Sequence, residues 1–144
     1  QNIFVQILQS NVRHKRHIQK ALRLTLQEAQ SHCFFTTPYF LPPQQLKQAI
    51  LNAADRGVDI RILTCGVSDV PVMRWASSHV YHLFLKKGIR IFEYYNSVLH
   101  AKTITIDGLY SSIGSFNLDP WSHHYNMELS LTTVDHEVAS DLED

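Results

Sequence analysis

Apolar positions recur along this chain in two rhythms, every second residue or every third to fourth, and the alternation of the two predicts an architecture. Residues 3–8 (IFVQIL) are short, apolar and β-rich, and read as a first strand. Over residues 14–30, Ile18, Ala21, Leu22, Thr25, Leu26 and Ala29 recur at helical spacing. Residues 32–37 (HCFFTT) read as a second strand, running into 38–43 (PYFLPP), where the prolines exclude a helix. Leu46, Ala49, Ile50 and Ala53 mark a helix over 44–56 that Gly57 stops, and 58–64 (VDIRILT) is a third strand. A loop at 65–70 holds Gly66, Ser68 and Asp69. A helix follows over 71–87, with Val72, Trp75, His79, Val80 and Phe84 on one stripe and Gly88 at its end, and then a fourth strand at 89–94 (IRIFEY).

The rhythm then stays at two. Residues 99–107 and 109–114 read as strands joined by the turn dipeptide Asp107-Gly108, which makes a hairpin. After a loop at 118–124, residues 126–132 (NMELSLT) alternate Met127, Leu129 and Leu131 against Asn126, Glu128 and Ser130. Strands alternating with helical crossovers predict a single α/β domain over 1–144. Its sheet is expected to be mixed and largely parallel, with helices on both faces and an antiparallel hairpin added at the end. No internal repeat is visible.

Composition adds bounds. With 44% hydrophobic and 18% charged residues the chain is ordinary globular material, and 13 Lys+Arg balance 13 Asp+Glu, so no global field draws it to nucleic acid. The two cysteines, Cys33 and Cys65, sit in strand-like contexts and read as buried thiols that need no disulfide. No apolar run approaches a membrane span, and no signal peptide precedes Gln1. The chain lacks an initial Met, and 135–144 reads as an Asp-capped acidic helix cut short, so a domain of a longer protein is expected. The basic cluster Arg13, Lys15, Arg16, Lys20 and Arg23 has two readings, a solvated helix face or a contact with an anionic lipid surface.

The chemistry concentrates in residues 99–117, LHAKTITIDGLYSSIGSFN. On an extended strand His100 and Lys102 share a face and Asp107 points to the other. A neutral imidazole is a nucleophile or acid/base near pH 7, and an ammonium two residues away favours an anion, so the pair suits attack on a phosphate. Ser115 and Asn117 repeat the offset beyond the returning strand and would add hydrogen bonds around phosphoryl oxygens, where Gly114 lets backbone approach a ligand. Glu128, in a strand expected beside His100, either accepts the second imidazole N–H or is a surface carboxylate. Tyr39 and Phe40 either pack under their loop or line a substrate pocket, and Arg74 either reaches a phosphate or is solvated. His79 and His82 read as helix-surface or packing residues. His123 and His124 are adjacent in a loop, which rarely lets two ligands face one ion, so no metal is predicted.

The spacing His100-x-Lys102-x4-Asp107-x6-Gly114-Ser115-x-Asn117 resembles the HKD signature of the phospholipase D superfamily. Together with TPYFLP, RGVDIRIL, KKGIRIFEY, GSFNLDP and YNMELSL, it makes the chain similar to the second HKD half of bacterial-type cardiolipin synthases from about Val5 onward. The resemblance implies a phospholipase D-like fold and phosphatidyl transfer from phosphatidylglycerol through a phosphohistidine, without cofactor or metal. Carried onto this chain, it implies His100 as nucleophile or acid/base, Lys102 and Asn117 as phosphate ligands with Ser115 beside them, Glu128 as the partner of His100, and Asp107 as mainly structural. It also implies a phospholipid substrate, a membrane surface and location at the bacterial inner membrane with this domain on the aqueous side, and no nucleic acid. Such enzymes carry two HKD motifs and this chain shows one. The other is therefore expected from the same longer chain or from a second copy, with an exposed apolar face around Tyr39, Phe40 and Trp121. The alternatives are a phospholipase D or nuclease of the same superfamily, or a silent dimerisation half.

Overall fold

A computed structural model describes residues 3–11, 16–67, 70–119 and 127–144. In chain order the elements are β1 (Val5–Ser10), α1 (His17–Glu28), β2 (His32–Thr36), α2 (Gln44–Asp55), β3 (Asp59–Cys65), α3 (Pro71–Leu85), β4 (Arg90–Tyr94), β5 (Thr103–Ile106), β6 (Tyr110–Gly114), β7 (Glu128–Val134) and α4 (His136–Glu143). The strands form one sheet in the order β1-β7-β6-β5-β2-β3-β4. The α/β alternation holds and the sheet is mixed, but its parallel part is confined to β2-β3-β4. The strands from β5 to β7 insert antiparallel between β1 and β2, so β1 pairs with β7 at the far edge. Helical periodicity reveals a crossover but not which strands it leaves as neighbours.

Local signals explain the elements. Ile18, Leu22 and Leu26 fall on one side of α1 and are buried, as are Leu46, Ala49, Ile50 and Ala53 of α2. The Arg56 guanidinium at the end of α2 donates to the carbonyls of Leu26 (2.7 Å) and Ala29 (3.2 Å), a cation at the carbonyl end of α1. α4 is capped as its Asp135 suggests, with the carboxylate accepting from the N–H groups of Glu137 (3.0 Å) and Val138 (3.1 Å). Both cysteines are free and buried, and burial pushes the Cys33 thiol up to about 12, so it is inert. No helix among the described residues is long and apolar enough to cross a membrane.

Two expectations about burial change. α3 buries Ser77 and Phe84 and leaves Val72 (65%) and Trp75 (64%) exposed, because it packs on the edge strand through a narrow stripe that lies away from Val72, Trp75 and His79. The expected exposed face around Tyr39 and Phe40 is not there either, since Phe40 is fully buried with its ring 4.8 Å from that of Phe84. Trp121 lies outside the described residues. The bare apolar surface is on the sheet instead. Register places Ile7 opposite Leu131 and Leu131 opposite Ile113, with Leu129 two residues along β7, and these four are 67%, 42%, 41% and 54% exposed. α4 contacts β5 and β6, and Thr105, Ser111 and Thr133 are buried, whereas among the described residues those four side chains stay exposed.

Candidate active site

β2, β3 and β4 end, and β5 and β7 begin, along one edge of the sheet, so the chemistry-bearing loops collect there. Regular pairing in β5 starts at Thr103, later than the sequence pattern suggests, and His100 and Lys102 lie just before it. The Gly114 N–H nevertheless donates to the Lys102 carbonyl (3.2 Å), which ties the pair to the end of β6. The Lys102 ammonium donates to the His100 carbonyl (2.6 Å) and lies 3.2 Å from His100 Nδ1. His100 is exposed, and Lys102 lines a cleft between α1 and the sheet beside Thr36, Thr37 and Phe116. An exposed imidazole held against an ammonium is the arrangement the two-residue spacing anticipates.

Ser115 and Glu128 meet, but differently from expectation. The Ser115 hydroxyl donates to Glu128 Oε2 and accepts from the Leu129 N–H (3.1 Å), while the Ser115 N–H donates to the Leu129 carbonyl (2.9 Å). Glu128 is buried, 4% exposed, and the hydrogen bond found for it is from Ser115 rather than from His100. Strand parity alone could not show this, because Ser115 leaves β6 in a bend that turns it toward β7. Asn117 is half-buried between Phe116 and Leu118, and Leu118 pairs with Phe40 and accepts from the Leu41 N–H (2.7 Å). The Asn117 segment is thereby moored to the 38–43 loop.

Gly114 serves a close approach of strand to strand. A Cβ there would sit 2.3 Å from the Leu129 carbonyl oxygen and 2.6 Å from Ser130 Oγ, so the glycine lets β6 and β7 draw together where Ser115 must reach Glu128. Phe40 belongs to the core rather than to a substrate surface. Tyr39 is half-buried, and its carbonyl accepts from Thr37 Oγ1 (3.0 Å). Arg74 is engaged by Glu93 and Tyr95, with Nη2 3.2 Å from Glu93 Oε2 and from Tyr95 Oη. His79 and His82 turn Nδ1 to helix carbonyls. His123 and His124 lie outside the described residues.

Asp107 lies at the opposite end of β5 from Lys102. It turns the β5-β6 hairpin at φ 56°, and its carboxylate accepts from three consecutive backbone N–H groups, those of Gln30 (3.0 Å), Ser31 (2.8 Å) and His32 (3.1 Å). Burial by itself raises this carboxyl, but the three donors outweigh it and hold the group below its ordinary 3.8. A depressed carboxyl contributes stability that is present above the unfolded value and lost as pH falls through the folded one. Asp107→Asn is therefore expected to lower stability at pH 7 by about 2 kcal/mol, the scale of hydrogen bonds to a charged group. The difference from the parent should shrink below roughly pH 4. Thermal melts of both proteins across pH 3 to 7 check this, and equal melting temperatures at pH 7 would refute it.

A family model described as cardiolipin synthase, PLD-like domain, matches residues 22–144. The chain belongs to the PLD-like domain family. Among relatives of this PLD-like domain, cardiolipin synthase A of Proteus mirabilis (strain HI4320) is 38% identical over 125 residues, which is 87% of this chain and 26% of that protein. Cardiolipin synthase A of Serratia proteamaculans (strain 568) is 37% identical over the same shares. The PLD-like domain thus spans about a quarter of the length of these relatives. Its fold matches the phospholipase D family member Nuc from Salmonella typhimurium with a TM-score of 0.84 at 20% identity, over 99% of this chain and 90% of that one. It also matches phosphatidylserine synthase from Haemophilus influenzae Rd KW20 with a TM-score of 0.78 at 16% identity, over 98% and 37%.

Sequence reasoning missed that Glu93 and Tyr95 hold Arg74, with the Tyr95 ring against Gly66. The signal available was the run Glu93-Tyr94-Tyr95 at a strand end, beyond which no helix follows before the next strand.

Proposed function

We propose that this domain is one catalytic half of a phosphatidyltransferase of cardiolipin synthase type, acting on phosphatidylglycerol. The observation that carries the reading is the exposed His100 imidazole held against the Lys102 ammonium at the sheet edge, in a chain 38% identical to a cardiolipin synthase A. In this reading His100 Nε2 attacks phosphorus and the P–O bond to the departing glycerol breaks. A protonated second imidazole supplies that oxygen's proton, and the hydroxyl of another phosphatidylglycerol then attacks the phosphohistidine, giving its proton to the same group as the N–P bond breaks. Attack by Nε2 needs the ring proton on Nδ1, so the Lys102 ammonium must turn from Nδ1 to the phosphoryl oxygens, where it offsets developing charge. Asn117 is the further phosphate ligand. Ser115 and Glu128 act as a pair that fixes the entry to β7 beside them.

One imidazole cannot stand on both sides of the phosphorus, so the second half comes from the remainder of a longer chain. The bare face of Ile7, Ile113, Leu129 and Leu131 is the surface for it, since Leu129 adjoins Ser115. Membrane association at the bacterial inner membrane belongs to that whole protein. The test is to incubate the full-length protein with labelled phosphatidylglycerol, phosphatidylcholine or single-stranded DNA, each with and without EDTA. Conversion of phosphatidylglycerol to cardiolipin with release of glycerol, unaffected by EDTA, is expected. Release of phosphatidic acid alone would make the enzyme a phospholipase, and cleavage of DNA alone a nuclease.

A further inference from the structure

The segment that carries His100 is suspended across the sheet edge. β4 is the outermost strand, and β5, the next in sequence, lies beyond β3 and β2, so residues 95–101 must cross about 14 Å at ordinary strand spacing. Seven residues reach at most roughly 25 Å, so the crossing is drawn out to more than half of its full length. Its backbone–backbone hydrogen bonds among the described residues lie at its two ends: the Gly66 N–H donates to the Tyr94 carbonyl (2.8 Å), and the Gly114 N–H to that of Lys102 (3.2 Å), while the His100 carbonyl accepts from the Lys102 ammonium (2.6 Å). Residues 95–98 and His100 are exposed.

At the near end, three elements converge on one phenol. The Tyr95 hydroxyl donates to Glu93 Oε2 (2.5 Å) and accepts from Arg74 Nη2 (3.2 Å). Arg74 Nη2 also bonds both Glu93 oxygens, at 3.3 and 3.2 Å. The Tyr95 ring lies flat on Gly66, where a Cβ would come within 2.7 Å of its Cζ. Glu93 belongs to β4, Arg74 to the first turn of α3 and Gly66 to the turn after β3. The hydrogen bond to Glu93, chiefly, pushes the Tyr95 hydroxyl above its ordinary value, so the contact survives mildly alkaline pH. Because Tyr95 is 58% exposed, such contacts add little to global stability. Their consequence is geometric.

We propose that Tyr95, clamped by Arg74 and Glu93 against Gly66, is a positioning residue that sets where His100 stands at the end of its crossing segment. This rests on His100 being the reacting imidazole. The clamp also gives Arg74 a role other than phosphate binding. A displacement of about 1 Å at a reacting group costs up to 100-fold in rate, whereas loss of an exposed hydroxyl contact scarcely moves a melting temperature.

The experiment uses the full-length protein, with kcat and KM measured on a soluble chromogenic phosphodiester, melting temperature, and the imidazole resonances of His100 in histidine-labelled protein. Tyr95→Phe keeps the ring on Gly66 and removes the hydroxyl. It is expected to lower kcat about 5- to 20-fold, with KM and melting temperature unchanged and the His100 resonances shifted. Gly66→Ala should cost at least as much, and in the double variant with Tyr95→Ala its cost should vanish, because its only effect is to push the ring aside. Wild-type kcat in Tyr95→Phe, losses that track melting temperature, unmoved resonances, or additive costs in the double variant would each overturn the clamp. If the wild-type protein leaves the phosphodiester untouched, the catalytic reading is what fails, and the His100 resonances decide the clamp by themselves.

Discussion

Replacing His100 by Asn in the full-length protein is expected to remove measurable turnover of phosphodiesters, a loss on the order of 10⁴-fold or more. Asparagine approximates the size and hydrogen bonding of imidazole, so the exposed segment should keep its course and the protein its melting temperature. It cannot form a phosphoramidate that water or an alcohol then opens, so the two-step route closes. Lys102→Ala should be milder, because it leaves the nucleophile and removes one cation from the developing charge, about 3 to 4 kcal/mol on the scale of an oxyanion donor. The pattern across the two variants matters more than either number. His100→Asn keeping a tenth of the parent rate would exclude a covalent role, and Lys102→Ala as inactive as His100→Asn would mean that the ammonium organises the imidazole itself.

The isolated 144-residue chain should be inactive as a monomer. In-line displacement needs an attacking group on one face of phosphorus and a proton donor at the leaving oxygen on the other. Among the nine His residues only His100 lies two positions before a Lys. Of the other eight, His79 and His82 are turned to helix carbonyls, His32 to Glu143 and His136 to the Gly108 carbonyl, while His17 is exposed at the start of α1, next to Ile18, whose N–H donates to Ser10 at the end of β1. The exposed Ile7, Ile113, Leu129 and Leu131 should in addition drive weak self-association. Sedimentation with a phosphodiesterase assay checks both statements. A monodisperse monomer with full activity would sink the half-site reading, and an active dimer would show that two copies can complete one site.

The sequence by itself determined what is local. The His100-x-Lys102 pair, the Asp107-Gly108 turn, the α1 and α2 core stripes and the Asp135 cap were legible because each depends on spacing within a few residues, where helix and strand periodicity and turn chemistry act directly. Tertiary structure decided what depends on neighbours far away in the chain. It placed β1 beside β7 and put three antiparallel strands between β1 and β2, because pairing energy is gained between whichever edges the crossovers bring together and no periodicity encodes that choice. It buried Phe40 against Phe84 and turned Trp75 outward, because an edge strand offers α3 only a narrow surface. It gave Ser115 to Glu128 through the close approach at Gly114, and it enclosed Arg74 with Glu93 and Tyr95. In each case side chains distant in sequence, or released from strand alternation by a bend, meet only after the sheet has closed around them.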